Sequence, residues 1–157
     1  MKIIPRRRRA EGRTNYLKRK KLLTGRKPRV VIRKSSRFIT VQFVESKAAQ
    51  DHVKYTITSK LLLKHGWPKE AIGSLKSLSA GYLTGIMFGK MINKEKPAIL
   101  DMGLVRNTPG SRIYAVVKGI VEAGGKIAHN PEVFPTDDRI KNQKVKGLEE
   151  IKGKLLK

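Results

Sequence analysis

Four adjacent arginines, Arg6-Arg7-Arg8-Arg9, are the densest concentration of chemistry in this chain. Four neighbouring guanidiniums cannot enter a protein core, because desolvating them without partners is too costly. They need water or phosphates. Arginine outnumbers lysine five to one over residues 1–13, and a guanidinium makes planar, two-pronged contacts to phosphate and stacks on bases. The bland reading is a solvated tail or a localisation-type basic patch. The sharper one is a nucleic-acid-binding arm, and the arginine bias favours it.

Other candidate chemistries lack parts. His52, His65 and His129 are scattered, with no carboxylate or second histidine at ligand spacing, so no metal is expected. There is no cysteine, which removes disulfides, thiolate metal sites and cysteine nucleophiles. Asp101 falls at the end of a short apolar run, where α/β sites form, but one carboxylate is not a metal-nuclease site; its plain role is to bond the loop over 103–110. Asp137-Asp138 more simply offsets Arg139 and Lys141. Gly85 to Met91 lacks the spacing and the hydroxyl residue of a phosphate-binding loop and lies inside a helical pattern. Asn107-Thr-Pro-Gly-Ser111 leads from strand to helix, flanked by Arg106 and Arg112. It reads equally as a phosphate-holding helix start and as an ordinary capped loop.

The chain as a whole supports the arm. Its 157 residues suit one domain with an arm or tail. Lys+Arg is 36 against 12 acids, a net charge of +24. Residues 1–37 hold sixteen Lys/Arg against one acid, Glu11. Such an excess repels itself unless polyanions surround it, nucleic acid first and an acidic membrane surface second. No apolar run approaches the roughly 20 residues of a membrane span. No apolar stretch follows the basic N-terminus, so a secretory leader is not expected.

The positioning elements follow from pattern. A basic helix is expected from Thr14 to about Leu23, stopped by Gly25; its apolar face (Leu17, Leu22, Leu23) is too thin for membrane insertion. Strands are expected over 29–33, 38–44 and 53–57, making a meander with a basic tip at Lys34–Arg37. Ser59 is placed as cap of a short helix ending near Gly66, and Ser79 as cap of a longer one through about Asn93. That helix carries Gly81, Gly85 and Gly89 on one stripe, permitting close approach to a sheet or helix. A buried parallel strand over 98–102, a helix capped by Ser111 and ending at Gly124-Gly125, and a last short strand at Ile127–Ala128 complete the order. Beyond His129 the chain is Pro-broken, then basic. The fold class is α/β, a mixed sheet flanked by helices. The expected division is residues 1–27 as RNA-binding arm and helix, 28–130 as α/β domain, and 131–157 as C-terminal loop and basic tail.

An ordered set of motifs resembles a known family. It comprises Arg6 to Tyr16, Thr24-Gly-Arg-Lys-Pro-Arg-Val-Val-Ile-Arg-Lys34, His65-Gly-Trp67 and Ser79-Ala-Gly-Tyr-Leu-Thr-Gly85. Leu100-Asp-Met-Gly103, Thr108-Pro-Gly-Ser111 and Ala123-Gly-Gly through Ala128-His-Asn130 continue it. Together they resemble universal large-subunit ribosomal protein eighteen in its archaeal form, over about residues 5–140. The resemblance implies a ribonuclease-H-like sandwich without catalytic carboxylates, with a basic N-terminal arm and C-terminal tail, and no cofactor. It implies a non-catalytic, cytoplasmic component of the large ribosomal subunit. Its partners would be 5S rRNA, the large-subunit rRNA, and universal large-subunit protein five with other proteins of the central protuberance. Carried over by position, Arg6, Arg7, Arg8, Arg9, Arg13, Tyr16, Arg19, Arg26, Lys27, Arg33 and Lys34 would contact RNA. Asn15, Lys20 and Arg37 complete the expected set on the arm, helix and hairpin tip, with Arg106 and Arg112 on their loop. Tyr16 has two readings, a stack on an unpaired base or packing on its own helix. The arm is expected to order on RNA. The competing classes are a metal-dependent nuclease on the same fold and a basic membrane-surface protein.

Overall fold

A computed structural model describes residues 4–47, 50–141 and 148–156. Val30, Val31 and Ile32, β-branched and successive, form β1 (Arg29–Lys34). It pairs antiparallel with β2 (Ile39–Lys47), which pairs antiparallel with β3 (Gln50–Thr58); β1 also runs parallel to β4 (Ile99–Asp101). The order is β3-β2-β1-β4, the expected mixed sheet. In the register Val30 stands beside Phe43 and Leu100, and Ile32 beside Val41. These residues form one face, buried against Phe88 and Ile92 of α3 (Leu78–Ile92) and Ile113, Val116, Val117 and Ile120 of α4 (Arg112–Glu122). The expected last strand is a single parallel bridge, Ala98 to Ile127.

The glycine stripe of α3 serves a helix, not the sheet. A Cβ on Gly85 would lie 2.2 Å from the carbonyl oxygen of Val116, and one on Gly119 would lie 2.2 Å from that of Tyr82. The two backbones touch at points where only hydrogen fits, and this crossing locks the layer behind the sheet.

Several local expectations are corrected. The first long helix, α2 (Tyr16–Thr24), starts after an Asn15 cap whose side chain accepts from the Lys18 amide. Ser77, not Ser79, caps α3, accepting from the Ala80 amide at 3.2 Å. Ser79 is buried within the first turn and donates to the Ile140 carbonyl at 2.7 Å. Ser59 is likewise no cap: it lies within a 3-10 turn over Ser59–His65 and accepts from the Ile39 amide. Ser111 occupies the cap position of α4 without a side-chain bond. Asp137 pairs directly with Lys118 at 2.6 Å, and its charge also acts on Lys141, as expected.

The chain beyond His129 is more than a basic tail. Helices α5 (Asp137–Lys141) and α6 (Leu148–Leu156) bury Ile140, Leu148, Ile151 and Leu155 in a second core with Leu62, Trp67, Leu75 and Leu83. Lys152 ties α6 to the body, standing 3.3 Å from Glu122 and 5.1 Å above the ring of Tyr82, whose hydroxyl also bonds Glu122. Lys144, Lys146 and Lys157 of the expected tail lie outside the described residues. Among the described residues no helix is long and apolar enough to cross a membrane.

Candidate nucleic-acid interface

The far face of the sheet carries the arm and α2. α2 has no fully buried residue; Tyr16, Leu22 and Leu23 are half-buried, and polar bonds add to that thin apolar hold. Lys18 Nζ donates to the Gly103 carbonyl at 2.9 Å, and Arg19 meets Asp51 at 3.1 Å. The helix therefore lies between the C-terminal end of β4 and the β2–β3 hairpin.

Beneath it is a set of charges that sequence reasoning missed. Arg29 is only 3% exposed, and a buried guanidinium needs partners. It meets Asp51 at 2.7 Å, Ser46 at 3.0 Å and Asp101 at 3.2 Å. Asp101 also takes the Gly103 amide at 2.8 Å and Arg33 at 3.1 Å. The loop-bonding role of Asp101 is thus present, and its oxygens are spent on two guanidiniums and an amide, which leaves poor ligands for a catalytic cation. Burial alone would raise the Asp51 carboxyl; hydrogen bonds from Ser46 and Arg29, with the charges of Arg29 and Arg19, outweigh it and hold the group below its ordinary value. The signal was an arginine opening a β-branched strand, with an unpartnered aspartate on a neighbouring one.

The arm folds into a single turn, α1 (Arg7–Ala10), closed by Gly12 in the left-handed region at φ 65°. Glu11 pairs with Arg7 at 3.6 Å and Arg13 at 3.2 Å, and Arg8 donates to the Thr14 hydroxyl at 3.0 Å. No residue of this turn is buried, so no core holds it. Arg6 lies 5.1 Å over the Tyr16 ring, a third arrangement beside the two expected for that tyrosine.

An open groove of about 1120 Å³ separates arm from helix, lined by Arg6, Arg9, Tyr16, Arg19, Lys20 and Leu104. A smaller one of about 320 Å³ lies against the sheet, bringing Arg8, Arg13 and Lys18 to Arg33. These two grooves gather nine of the expected contacts, Asn15 and Arg33 included. The rest stand elsewhere: Arg7 on the arm beside Glu11, Arg26 and Lys27 where α2 meets β1, Lys34 and Arg37 at the hairpin, Arg106 and Arg112 beside their loop, all exposed. Arg33 is half-exposed but partly committed, bonding the Asp101 carbonyl at 2.8 Å as well as its carboxylate. In the loop before α4, Gly110 donates to the Val133 carbonyl, Ser111 to that of Thr108, and Asn107 accepts from Tyr114, while Ser111 gives the first turn of α4 no side-chain cap.

Clustered, solvated guanidiniums around an aromatic ring suit a ribose-phosphate backbone with an exposed base. The comparisons agree in kind. Residues 3–98 match the family model described as ribosomal large subunit proteins 60S L5 and 50S L18. The chain belongs to this family. It is 43% identical over 145 residues to large ribosomal subunit protein uL18 of Methanothrix thermoacetophila, covering 91% of this chain and 83% of that one. The uL18 of Korarchaeum cryptofilum is 44% identical over 146 residues (92% and 73%), and that of Methanoregula boonei 36% over 157 (99% and 88%). Membership in the L18 family makes the chain a structural ribosomal protein and not an enzyme. The L18-family match spans the arm, α2, β1 to β3 and α3, so it includes both grooves' basic walls.

Proposed function

We propose that this chain binds 5S rRNA and attaches it to the large-subunit rRNA at the central protuberance, beside universal large-subunit protein five, within the cytoplasmic large subunit. Residues 1–27 act as the RNA-binding arm and helix, 28–130 as the supporting α/β body, and 131–157 as a C-terminal segment. The observation that carries the reading is the pair of basic grooves around α2, a helix held by polar bonds with its remaining cations turned to solvent. A-form RNA hides its base edges in a deep groove, so the contacts of Arg6 to Arg9, Arg13, Arg19 and Lys20 go mainly to phosphates and 2′-hydroxyls. Arg26, Lys27, Arg33, Lys34, Arg37, Arg106 and Arg112 extend the basic surface, and Asn15 and Tyr16 supply a polar and a stacking contact. The arm completes its ordering on RNA.

Gradient sedimentation of ribosomes followed by partial salt stripping tests this. The protein is expected with large subunits and then with the released 5S rRNA. Protein that leaves free of 5S rRNA under those conditions contradicts the proposal.

A further inference from the structure

Two carboxylates stand on the face that carries the arm and α2, where their charge opposes a phosphate ligand. Asp51 meets Arg19 at 3.1 Å, and Asp101 meets Arg33 at 3.1 Å. Both acids also meet Arg29, at 2.7 Å and 3.2 Å. Cations and anions thus alternate in one row, Arg19-Asp51-Arg29-Asp101-Arg33. The side chains of the two outer arginines are 44% and 47% exposed, and that of Arg29 between them only 4%.

Stability does not account for such a row, because buried ion pairs replaced by apolar residues of similar volume are often as stable or more so. Attraction for RNA does not account for it either, since each carboxylate offsets one cation. What the row supplies is direction. A free arginine samples many rotamers, and each such side chain ordered only on binding weakens binding about two- to tenfold. Asp51 holds Arg19 through Nη2; no other group among the described residues bonds that guanidinium, so Nε and Nη1 remain for a ligand. The carbonyl and carboxylate of Asp101 hold Arg33 through Nη1 and Nη2 and leave its Nε.

The two acids are themselves fixed. Asp51 accepts from the Ser46 hydroxyl at 2.6 Å, and Arg29 donates to both. Asp101 accepts from the Gly103 amide at 2.8 Å. Gly103 also keeps the space that Arg33 fills, since a Cβ there would lie 3.0 Å from the guanidinium carbon. A side chain is aimed best by partners whose own orientation is locked.

We propose that Asp51 and Asp101, braced by the buried Arg29, are positioning residues that hold Arg19 and Arg33 in the smaller groove, aimed at RNA phosphates, so that two acids on a phosphate-binding face strengthen RNA binding. This rests on the RNA-binding reading above and gives it a sign that charge alone would reverse.

The test measures the affinity of full-length protein for 5S rRNA at fixed salt. Asp51→Asn is the informative change, because Asp51 is partly exposed and Asp101 is buried. Charge alone predicts tighter binding, with one anion gone from the face. Positioning predicts binding about fivefold weaker. The loss must pass through Arg19, so in an R19Q background D51N should cost less than about 1.5-fold. S46A alters no charge, removes one bond to Asp51 and should weaken binding about twofold. In NMR spectra of the free protein, the Arg19 Nε–H should lose order in D51N while the backbone amides keep their positions elsewhere. D51N binding equal to or tighter than wild type overturns the proposal. So does an equal D51N loss in both backgrounds, which would make Asp51 a purely structural residue. If D51N does not fold, S46A decides, and unchanged affinity there overturns the proposal. If wild type binds no 5S rRNA, the 5S assignment falls and the same cycle on an unrelated RNA duplex decides this one; binding to neither overturns both.

Discussion

Replacing Gly85 with alanine probes the crossing on which the body is built. In a free helix the change stabilises by about 1 kcal/mol, since glycine is the poorer helix former. Here the new methyl carbon would sit 2.2 Å from the Val116 carbonyl oxygen and 3.0 Å from its carbon. Those are backbone atoms of α4, which cannot rotate aside, so the helices must separate. Overpacking of that kind costs about 3 kcal/mol, the upper end of the usual range. The net is a loss of about 2 kcal/mol, or roughly 6 °C in melting temperature for a chain of this size. Gly153 in α6 is the control, with nothing within 4 Å of its Cβ position. G153A should gain about 1 kcal/mol, near 3 °C. Thermal melts followed by circular dichroism read both. A G85A melt equal to or above wild type would refute the close-contact argument, since only the propensity gain would then remain.

The ion network gives a second outcome: D101N leaves the buried Arg29 with half its carboxylate partners, and urea denaturation should show a loss of about 3 kcal/mol. R26G relieves the left-handed strain at φ 47° and should gain about 0.5 kcal/mol in urea denaturation. Burial, with a hydrogen bond to Glu122, pushes the Tyr82 phenol up to about 12. The group therefore stabilises fully below pH 10, and that contribution is lost as pH rises through about 12; an ultraviolet difference titration of wild type against Y82F should show the step there. Asp51, Glu95, Asp137 and Glu149 are all held below their ordinary values of 3.8 and 4.5. Their contribution is present above those values and is lost as pH falls through the lower folded ones, so urea midpoints should drop on acidification below about pH 4.

Much of this molecule is written locally. Val30 to Ile32 and the alternation of Ile39, Val41 and Phe43 mark strands because one face must be dry, and the structure places those residues against α3 and α4. The arginine run declares an exposed arm because no core could accept it. What stayed hidden depends on tertiary partners. Ser77 and Ser79 both look like caps, and only the burial of Ser79 against Ile140 separates them. Arg29 reads as one more surface cation until Asp51 and Asp101 arrive from strands far along the chain. In α6, Leu148, Ile151 and Leu155 do carry a helical period, but the density of lysines around them outweighs it in a composition-based reading.

The most direct measurement is the salt dependence of 5S rRNA binding with and without residues 1–13. Each phosphate neutralised by a cation contributes about 0.7 to 0.9 to the slope of log affinity against log salt. Five arginines stand in that segment, so full engagement predicts that truncation weakens binding and flattens the slope by about 3.5 to 4.5. An unchanged affinity and slope would show that the arm's cations face solvent in the complex, and would contradict the account.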